Sequence, residues 1–337
     1  MSLLSLLRAS SATPPEPDPN APTPQQTWPS SFVLPQRVGV EERAESSISA
    51  PYNASGPLVL PSPYTPPTMP SGTHPSVIDF GVQFNGYRWW MAYTPYPNGG
   101  DALENPVIVA SNDRVNWVEP SGVRNPLEDR PLTGWNSDTE LVWDNETHAM
   151  WCIYRVYREG NEFIRARRSY NGIDWSLPVL LFETGTTEGC LSPTVVKDHT
   201  GRWRMFSIGG TSYRTADHIF GPWSDPKPIN LIWADGVARE SPWHVFMRYE
   251  YGQYRMLLNG TRGGGHLYPG VSEDGVNFRM GAAFLSSPAS GWDSGGLYRS
   301  CMTPADNDAD YDVWYSTRGS GWQIAYTQVP RKHWWDL

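Results

Sequence analysis

The sequence has little cysteine. Cys152, Cys190 and Cys301 are the three in 337 residues. An odd number without a Cys-x-x-Cys spacing offers neither a disulfide framework nor a standard zinc site. Three buried, reduced thiols are the expected state, which suits assembly in a reducing cytoplasm. Long apolar runs are also missing. No window approaches the roughly 20 residues that a membrane-crossing helix needs, so no membrane span is expected. Positive charge is in deficit, with 26 Lys and Arg against 35 Asp and Glu and a formal net charge of −9. Phosphate binding rests on Lys and Arg, so a nucleic-acid partner is not expected. Phenylalanine is scarce beside the other aromatics, 10 Phe against 17 Trp and 17 Tyr. Most rings therefore carry a polar handle.

Proline is abundant and unevenly placed. Of the 32 prolines, 16 fall in the first 75 residues. Proline fixes φ and removes a donor, so this stretch favours polyproline II and cannot build a core. Residues 1–73 are predicted to be an extended Pro-rich arm. Leu3, Leu4, Leu6 and Leu7 at its tip lack the positive flank of a signal peptide and form a short apolar docking segment.

From residue 74 the chain repeats. A polar turn followed by an aromatic-rich alternation occurs as Asn85-Gly-Tyr-Arg-Trp-Trp-Met-Ala-Tyr, Glu146-Thr-His-Ala-Met-Trp-Cys-Ile-Tyr and Thr200-Gly-Arg-Trp-Arg-Met-Phe-Ser-Ile. It returns as Tyr251-Gly-Gln-Tyr-Arg-Met-Leu-Leu and Asp310-Tyr-Asp-Val-Trp-Tyr-Ser. A second motif, turn chemistry ending in an aromatic, follows each of the first four. Its copies are Ser111 to Trp117, Ser169 to Trp175, Thr215 to Trp223 and Ser272 to Phe278, with a degenerate fifth from Arg318 to Trp322. Five units of about 50 residues, each with several short strands, predict an all-β, five-bladed β-propeller over residues 74–337.

In a propeller the first strand of each blade lines the central channel. The five blade starts are His74-Pro-Ser-Val, Asp138-Thr-Glu-Leu-Val, Ser192-Pro-Thr-Val-Val, Glu240-Ser-Pro-Trp-His and Arg299-Ser-Cys-Met. His74, Asp138, Ser192, Glu240 and Arg299 are thus expected to converge near the axis. Glu188 and Glu140 are further acidic candidates, and Arg299 is expected to pair with Glu240. Trp90, Tyr93, Trp135, His244 and Tyr298 are candidate ligand contacts, because flat faces beside hydrogen-bonding edges suit sugar rings. No metal ligand set and no cofactor are expected.

These blade starts resemble those of glycoside hydrolase family 43 and its furanosidase-type relatives, over roughly residues 74–330. The resemblance implies Glu240, in Glu240-Ser-Pro, as the general acid. It places Asp138, in Trp135-Asn-Ser-Asp, at the second-blade acid that shapes the site. It also sets His74 and Ser192 where the family has aspartates. Glycoside hydrolysis needs one protonated and one ionised carboxyl, and neither His74 nor Ser192 supplies one. An Asp138–Glu240 pair could still serve, with Glu188 and Glu140 as further candidates.

The stretch from Asn85 through Asp113 further resembles the propeller proteins of actinobacterial tailed phages, the minor tail proteins. That resemblance implies a virion tail component that assembles in the host cytoplasm, is anchored to other tail proteins through residues 1–73, and occurs in several copies. Its propeller would bind a host-envelope glycan. The alternatives are an active glycoside hydrolase cleaving a furanose- or pyranose-containing polysaccharide, and a ligand-free structural propeller.

Overall fold

The computed structural model describes residues 32–64, 71–184, 189–208, 211–234, 241–260, 264–319, 321–335 and 337. Blade I consists of β1 (Thr73–Phe84), β2 (Tyr87–Thr94), β3 (Val107–Ser111) and β4 (Trp117–Val118). Blade II follows with β5 (Trp135–Asp144), β6 (Ala149–Arg158), β7 (Asn161–Ser169) and β8 (Val179–Thr184). Blade III has β9 (Thr194–Lys197), β10 (Trp203–Ser207), β11 (Ser212–Ala216) and β12 (Lys227–Pro228). Blade IV is built from β14 (His244–Glu250), β15 (Gln253–Asn259), β16 (His266–Ser272), β17 (Asn277–Met280) and β18 (Leu285–Ser286). The preceding strand, β13 (Asn230–Trp233), pairs in parallel along the outer edge of blade IV, on β17. Blade V has β19 (Leu297–Pro304), β20 (Asp310–Arg318) and β21 (Trp322–Pro330), followed by one helical turn, α1 (Lys332–Trp335).

Each blade is an antiparallel meander, and the innermost strands β1, β5, β9, β14 and β19 touch one another in a closed cycle. The five aromatic-rich repeats are the second strands β2, β6, β10, β15 and β20. The predicted five-bladed propeller is the fold of the protein.

Both faces of these second strands are buried, because each sheet is sandwiched between two others. Alternation then sends successive side chains to opposite blade interfaces. In β6, Met150, Cys152 and Tyr154 join the core shared with blade I, whereas Trp151 and Ile153 join the core shared with blade III. In β2, Trp90 and Ala92 face blade II, and Trp89, Met91 and Tyr93 face the core shared with blades IV and V. The three cysteines are buried free thiols, as expected.

In blades I, II and IV the turn motif is one recurring hydrogen-bond device. In 111–117, the Asp113 carboxylate accepts the backbone N–H groups of Val115 and Asn116, and the Asn116 amide donates to Asp113 Oδ2 at 2.7 Å. Asp274 does the same for Val276 and Asn277. In blade II the two residue types trade places: Asn171 accepts from Ile173 and Asp174, and its amide donates to the Asp174 carboxylate. These Asx turns set the exit direction of the aromatic that follows.

Gly172, in the blade II turn, has φ +78 and lies against the fully buried Trp90 ring. A Cβ there would stand 2.4 Å from the indole. Gly172→Ala is therefore expected to destabilise the protein by about 2–5 kcal/mol, from left-handed backbone strain and overpacking together. Urea unfolding tests this; an unchanged midpoint would refute it.

Residues 32–64 form a strap laid on the propeller, without regular strands. Leu34 exchanges backbone hydrogen bonds with the Asn145 side chain. Arg37 donates to Tyr251 and Asp308. Glu41 enters between Arg255 and Arg331. Tyr52 is buried, and Asn53 donates to Asp293. The backbone N–H groups of Leu58 and Gly72 donate to Ile324 and Trp322 carbonyls, so the open edge of β21 is covered by the incoming chain. The predicted apolar tip, Leu3 to Leu7, and the first proline run lie outside the described residues.

Candidate functional site

The inner strands carry bulges where the blade starts were read. Register shifts interrupt β1 between Thr73 and Ser76, β5 between Ser137 and Glu140, and β19 between Leu297 and Ser300. His74, Asp138 and Ser192 all adopt left-handed backbone, with φ of 55, 55 and 54°. Such a conformation costs a non-glycine residue of order 1–3 kcal/mol. A bulge re-aims the side chain it carries. The same costly turn, used at equivalent points of three blades, points three polar side chains into one end of the channel.

There they meet His244, the first residue of β14. His74 Nε2 lies 3.3 Å from Asp138 Oδ1, and His244 Nδ1 lies 3.6 Å from the same oxygen. One ligand atom from each of His74, Asp138 and His244 falls within 4.8 Å of the others. All three residues are buried, at 3%, 0% and 1% exposure. The Ser192 hydroxyl contacts His244 Nδ1.

The surroundings fix which atoms face inward. Asp138 Oδ2 accepts from Arg155 Nε at 2.7 Å, and Oδ1 has no hydrogen-bond partner. The Thr73 hydroxyl donates to the Thr94 carbonyl and stands 3.2 Å from His74 Nδ1, which accepts the Asp138 backbone N–H at 3.4 Å. His74 Nε2 and His244 Nε2 have no hydrogen-bond partner. Burial lowers the His74 imidazole to about 4 against the pull of Asp138, and it holds His244 well below the ordinary histidine value. For Asp138, burial acts to raise the carboxyl. The Arg155 guanidinium, then the imidazoles and Arg299, outweigh it and keep the group ionised. Near neutral pH the site therefore holds two neutral imidazoles and one carboxylate, the protonation states of metal ligands.

A second layer supports the first. Glu140 accepts from Ser76 at 3.1 Å, from Thr194 at 2.9 Å and from Arg299 at 2.9 Å. Thr194 in turn accepts the Met247 backbone N–H, and Ser76 the Leu141 N–H. Five blades are thus tied through a buried polar belt just below the cluster.

Above it opens a cavity of about 210 Å³. Its walls include Tyr96, Trp135, Trp243, Tyr298 and Trp322, with Asp101, Glu104 and Arg155 among them. Tyr298 packs edge-on against His244, with centroids 4.0 Å apart, and also against Trp322 at 4.6 Å. Trp135 is held flat by stacking on Tyr157. Aromatic faces with interspersed carboxylates and a guanidinium suit a sugar ring and its hydroxyls.

His74, Asp138, Ser192 and His244 come together, and Trp135 and Tyr298 line the cavity as expected. Glu240 and Glu188 lie outside the described residues, so the Asp138–Glu240 pairing is not placed. Three expectations need correction. Arg299 does not face the cavity: it is fully buried one layer down and pairs with Glu140, because that desolvated carboxylate needs a cation. Trp90 and Tyr93 are not ligand contacts. Strand alternation buries both in blade interfaces, where Trp90 donates to the Phe84 carbonyl and Tyr93 to that of Pro61. Finally, the sequence named no metal ligands, yet folding assembles a ligand-competent trio. Arg155, Asp101, Glu104 and Trp322 were missed. The available signal for Arg155 was a lone charge interrupting the apolar run from Met150 to Tyr157.

No protein-family model matches the chain. In solved structures the same architecture recurs. A GH43 β-xylosidase/α-arabinofuranosidase from a compost metagenome, in complex with xylotriose, superposes with a TM-score of 0.56 at 12% identity, covering 77% of this chain and 92% of that one. The chain has the five-bladed propeller fold of the family 43 glycoside hydrolases. An N-acetylgalactosamine deacetylase from F. plautii, in complex with blood group B trisaccharide, matches with a TM-score of 0.74 at 24% identity, covering 84% of this chain and 96% of that one. In sequence, the chain is 30% identical over 338 aligned positions to the A type blood N-acetyl-alpha-D-galactosamine deacetylase of Flavonifractor plautii. That match takes in 81% of this chain, which spans 44% of the relative's length. These similar proteins are carbohydrate-active.

Proposed function

We propose that the chain is a metal-dependent hydrolase that removes the N-acetyl group from an amino sugar. The observation that carries this reading is the buried trio of His74, Asp138 and His244, in which Asp138 Oδ1 and both histidine Nε2 atoms lack a hydrogen-bond partner while His244 Nδ1 contacts Ser192, beside an aromatic cavity that His74 lines. The trio fits a divalent cation. Ligands about 2.1 Å from a tetrahedral centre stand about 3.4 Å from one another, and the separations here are 3.3 and 3.6 Å. Two imidazoles and one carboxylate are a donor set used by catalytic zinc sites. The deacetylase activity named for the similar F. plautii proteins supports the same direction.

His74, Asp138 and His244 would hold the cation, which when bound supplies Lewis acidity and a water acidic enough to ionise near neutral pH. The chain's residues do the rest. Arg155 grips Asp138 Oδ2 and so presents Oδ1. Thr73 and the Asp138 backbone N–H hold the His74 ring through Nδ1 and leave Nε2 toward Asp138 Oδ1. Tyr298, Trp322 and Trp243 offer faces for a pyranose and shield the floor from bulk water. In the overall reaction the amide C–N bond breaks, the oxygen of water enters acetate, and a proton from that water goes to the amine.

The test is acetate release from oligosaccharides ending in N-acetylgalactosamine or N-acetylglucosamine. Release is expected with metal-loaded protein, with loss on chelation and recovery when zinc or manganese is restored. No release from either panel by the metal-loaded protein, or release indifferent to chelator, would overturn the proposal.

A further inference from the structure

We propose that Arg155 is a catalytic residue that binds the oxygen of the acyl group, first as it gains negative charge and then as part of the product carboxylate. This rests on the deacetylase reading above. The strand pairing places Arg155 of β6 directly opposite Ser137, the residue before Asp138. Its Nε–H donates to Asp138 Oδ2 at 2.7 Å, one Nη1–H to Glu162 at 2.8 Å and one Nη2–H to Ser137 Oγ at 3.3 Å.

A guanidinium carries five N–H donors. Three are used, one on each nitrogen, so Nη1 and Nη2 each keep one. Arg155 lines the same cavity as His74, and its side chain is 13% exposed. The two remaining donors are assigned to that cavity, which His74 also lines.

The fork is rigid. Asp138 holds one side and Glu162 the other, and Glu162 is itself fixed by the Cys190 backbone N–H at 3.3 Å. Two preorganised donors in a fixed plane match the two oxygens of a carboxylate. They also match a single oxygen gaining charge, where donors set in advance contribute most. Glu104, on the same cavity wall, is close enough for its charge to act on Arg155, so the site is not strongly cationic and can release an anion.

The alternative is that Arg155 only orients Asp138. Two measurements on the full chain separate the roles, each with Arg155→Gln and Arg155→Lys. The first is kinetic, at saturating zinc. A residue that touches the reacting oxygen is expected to lower kcat by about 10²–10³-fold in Arg155→Gln, with a much smaller change in KM. Return of the wild-type kcat once zinc saturates would overturn the proposal. The second is a titration of chelator-treated protein with sodium acetate, followed by calorimetry or NMR. Acetate affinity is expected to fall at least about tenfold in Arg155→Gln, with Arg155→Lys between it and wild type. Undiminished acetate binding in both variants would overturn it. The titration uses neither metal nor turnover, so it decides the role of Arg155 even if the deacetylase reading fails.

Discussion

Asp138→Asn is expected to abolish metal binding and activity and also to destabilise the fold, whereas His74→Gln should abolish activity at little cost in stability. Both remove a member of the ligand trio. They differ in what they leave behind. Asp138 carries the charge that balances Arg155, with Oδ2 on the guanidinium at 2.7 Å. Replacing it by an amide leaves that cation to Glu162 alone, 2.8 Å away on its other side. Breaking a buried ion pair by removing one partner costs about 3–5 kcal/mol; the surviving Glu162 contact and the residual exposure of Arg155 place the expectation below that range. His74 is neutral, so its glutamine leaves no orphaned charge. Losing a direct ligand should reduce metal affinity by more than the 10–100-fold typical of outer-shell changes. Metal content, acetate release and thermal unfolding of the two variants check this. Equal stability losses in both would contradict the assigned charge balance, and retained metal in either would contradict the trio.

The second large effect is expected far from the cavity, at Glu41. Arg255 and Arg331 are both fully buried, and Glu41 from the strap meets both of them. The carboxylate they share besides it is Glu250, 3.1 Å from Arg255 and 3.3 Å from Arg331. Tyr311 contacts Glu250 and Arg255 as well. Glu41→Ala leaves two buried cations on Glu250, with the exposed Asp308 carboxylate 4.0 Å from Arg331 as the remaining counter-charge, for an expected loss of about 3–5 kcal/mol. Glu41→Gln keeps the hydrogen-bond acceptor and should lose less. Because Glu41 sits mid-strap, the same change should expose residues 32–64 to protease before the propeller unfolds. Unfolding curves and timed proteolysis test this; a Glu41→Ala protein as stable and as resistant as the wild type would show that the strap is not latched there.

The repeat made the fold legible. The five aromatic-rich copies are the second strands, and the turn motif is an Asx device shared by blades I, II and IV. The blade starts were legible for the same reason: His74, Asp138 and Ser192 occupy equivalent slots and meet. Two things were hidden. Alternation in a strand buried on both faces gives no sign of which interface a ring enters, so Trp90 and Tyr93 were placed in the cavity. The bulges were hidden too, because one extra residue reverses the facing of everything beyond it. That reversal separates Asp138 in the upper layer from Glu140 in the lower, and it sends Arg299 down to Glu140. Arg155 was hidden because its role follows from cross-strand register rather than from any local motif.

His74, Asp138 and His244 come from the inner strands of three different blades, Ser192 stands just ahead of the inner strand of a fourth, and none of them is sequence-adjacent to another. Their spacing is therefore not the property of any one loop. It is set by the circumference of the ring, and the polar belt around Glu140 acts as its hoop. Whatever loosens one sector, even on the far rim, changes the bite of the site without touching any group in it.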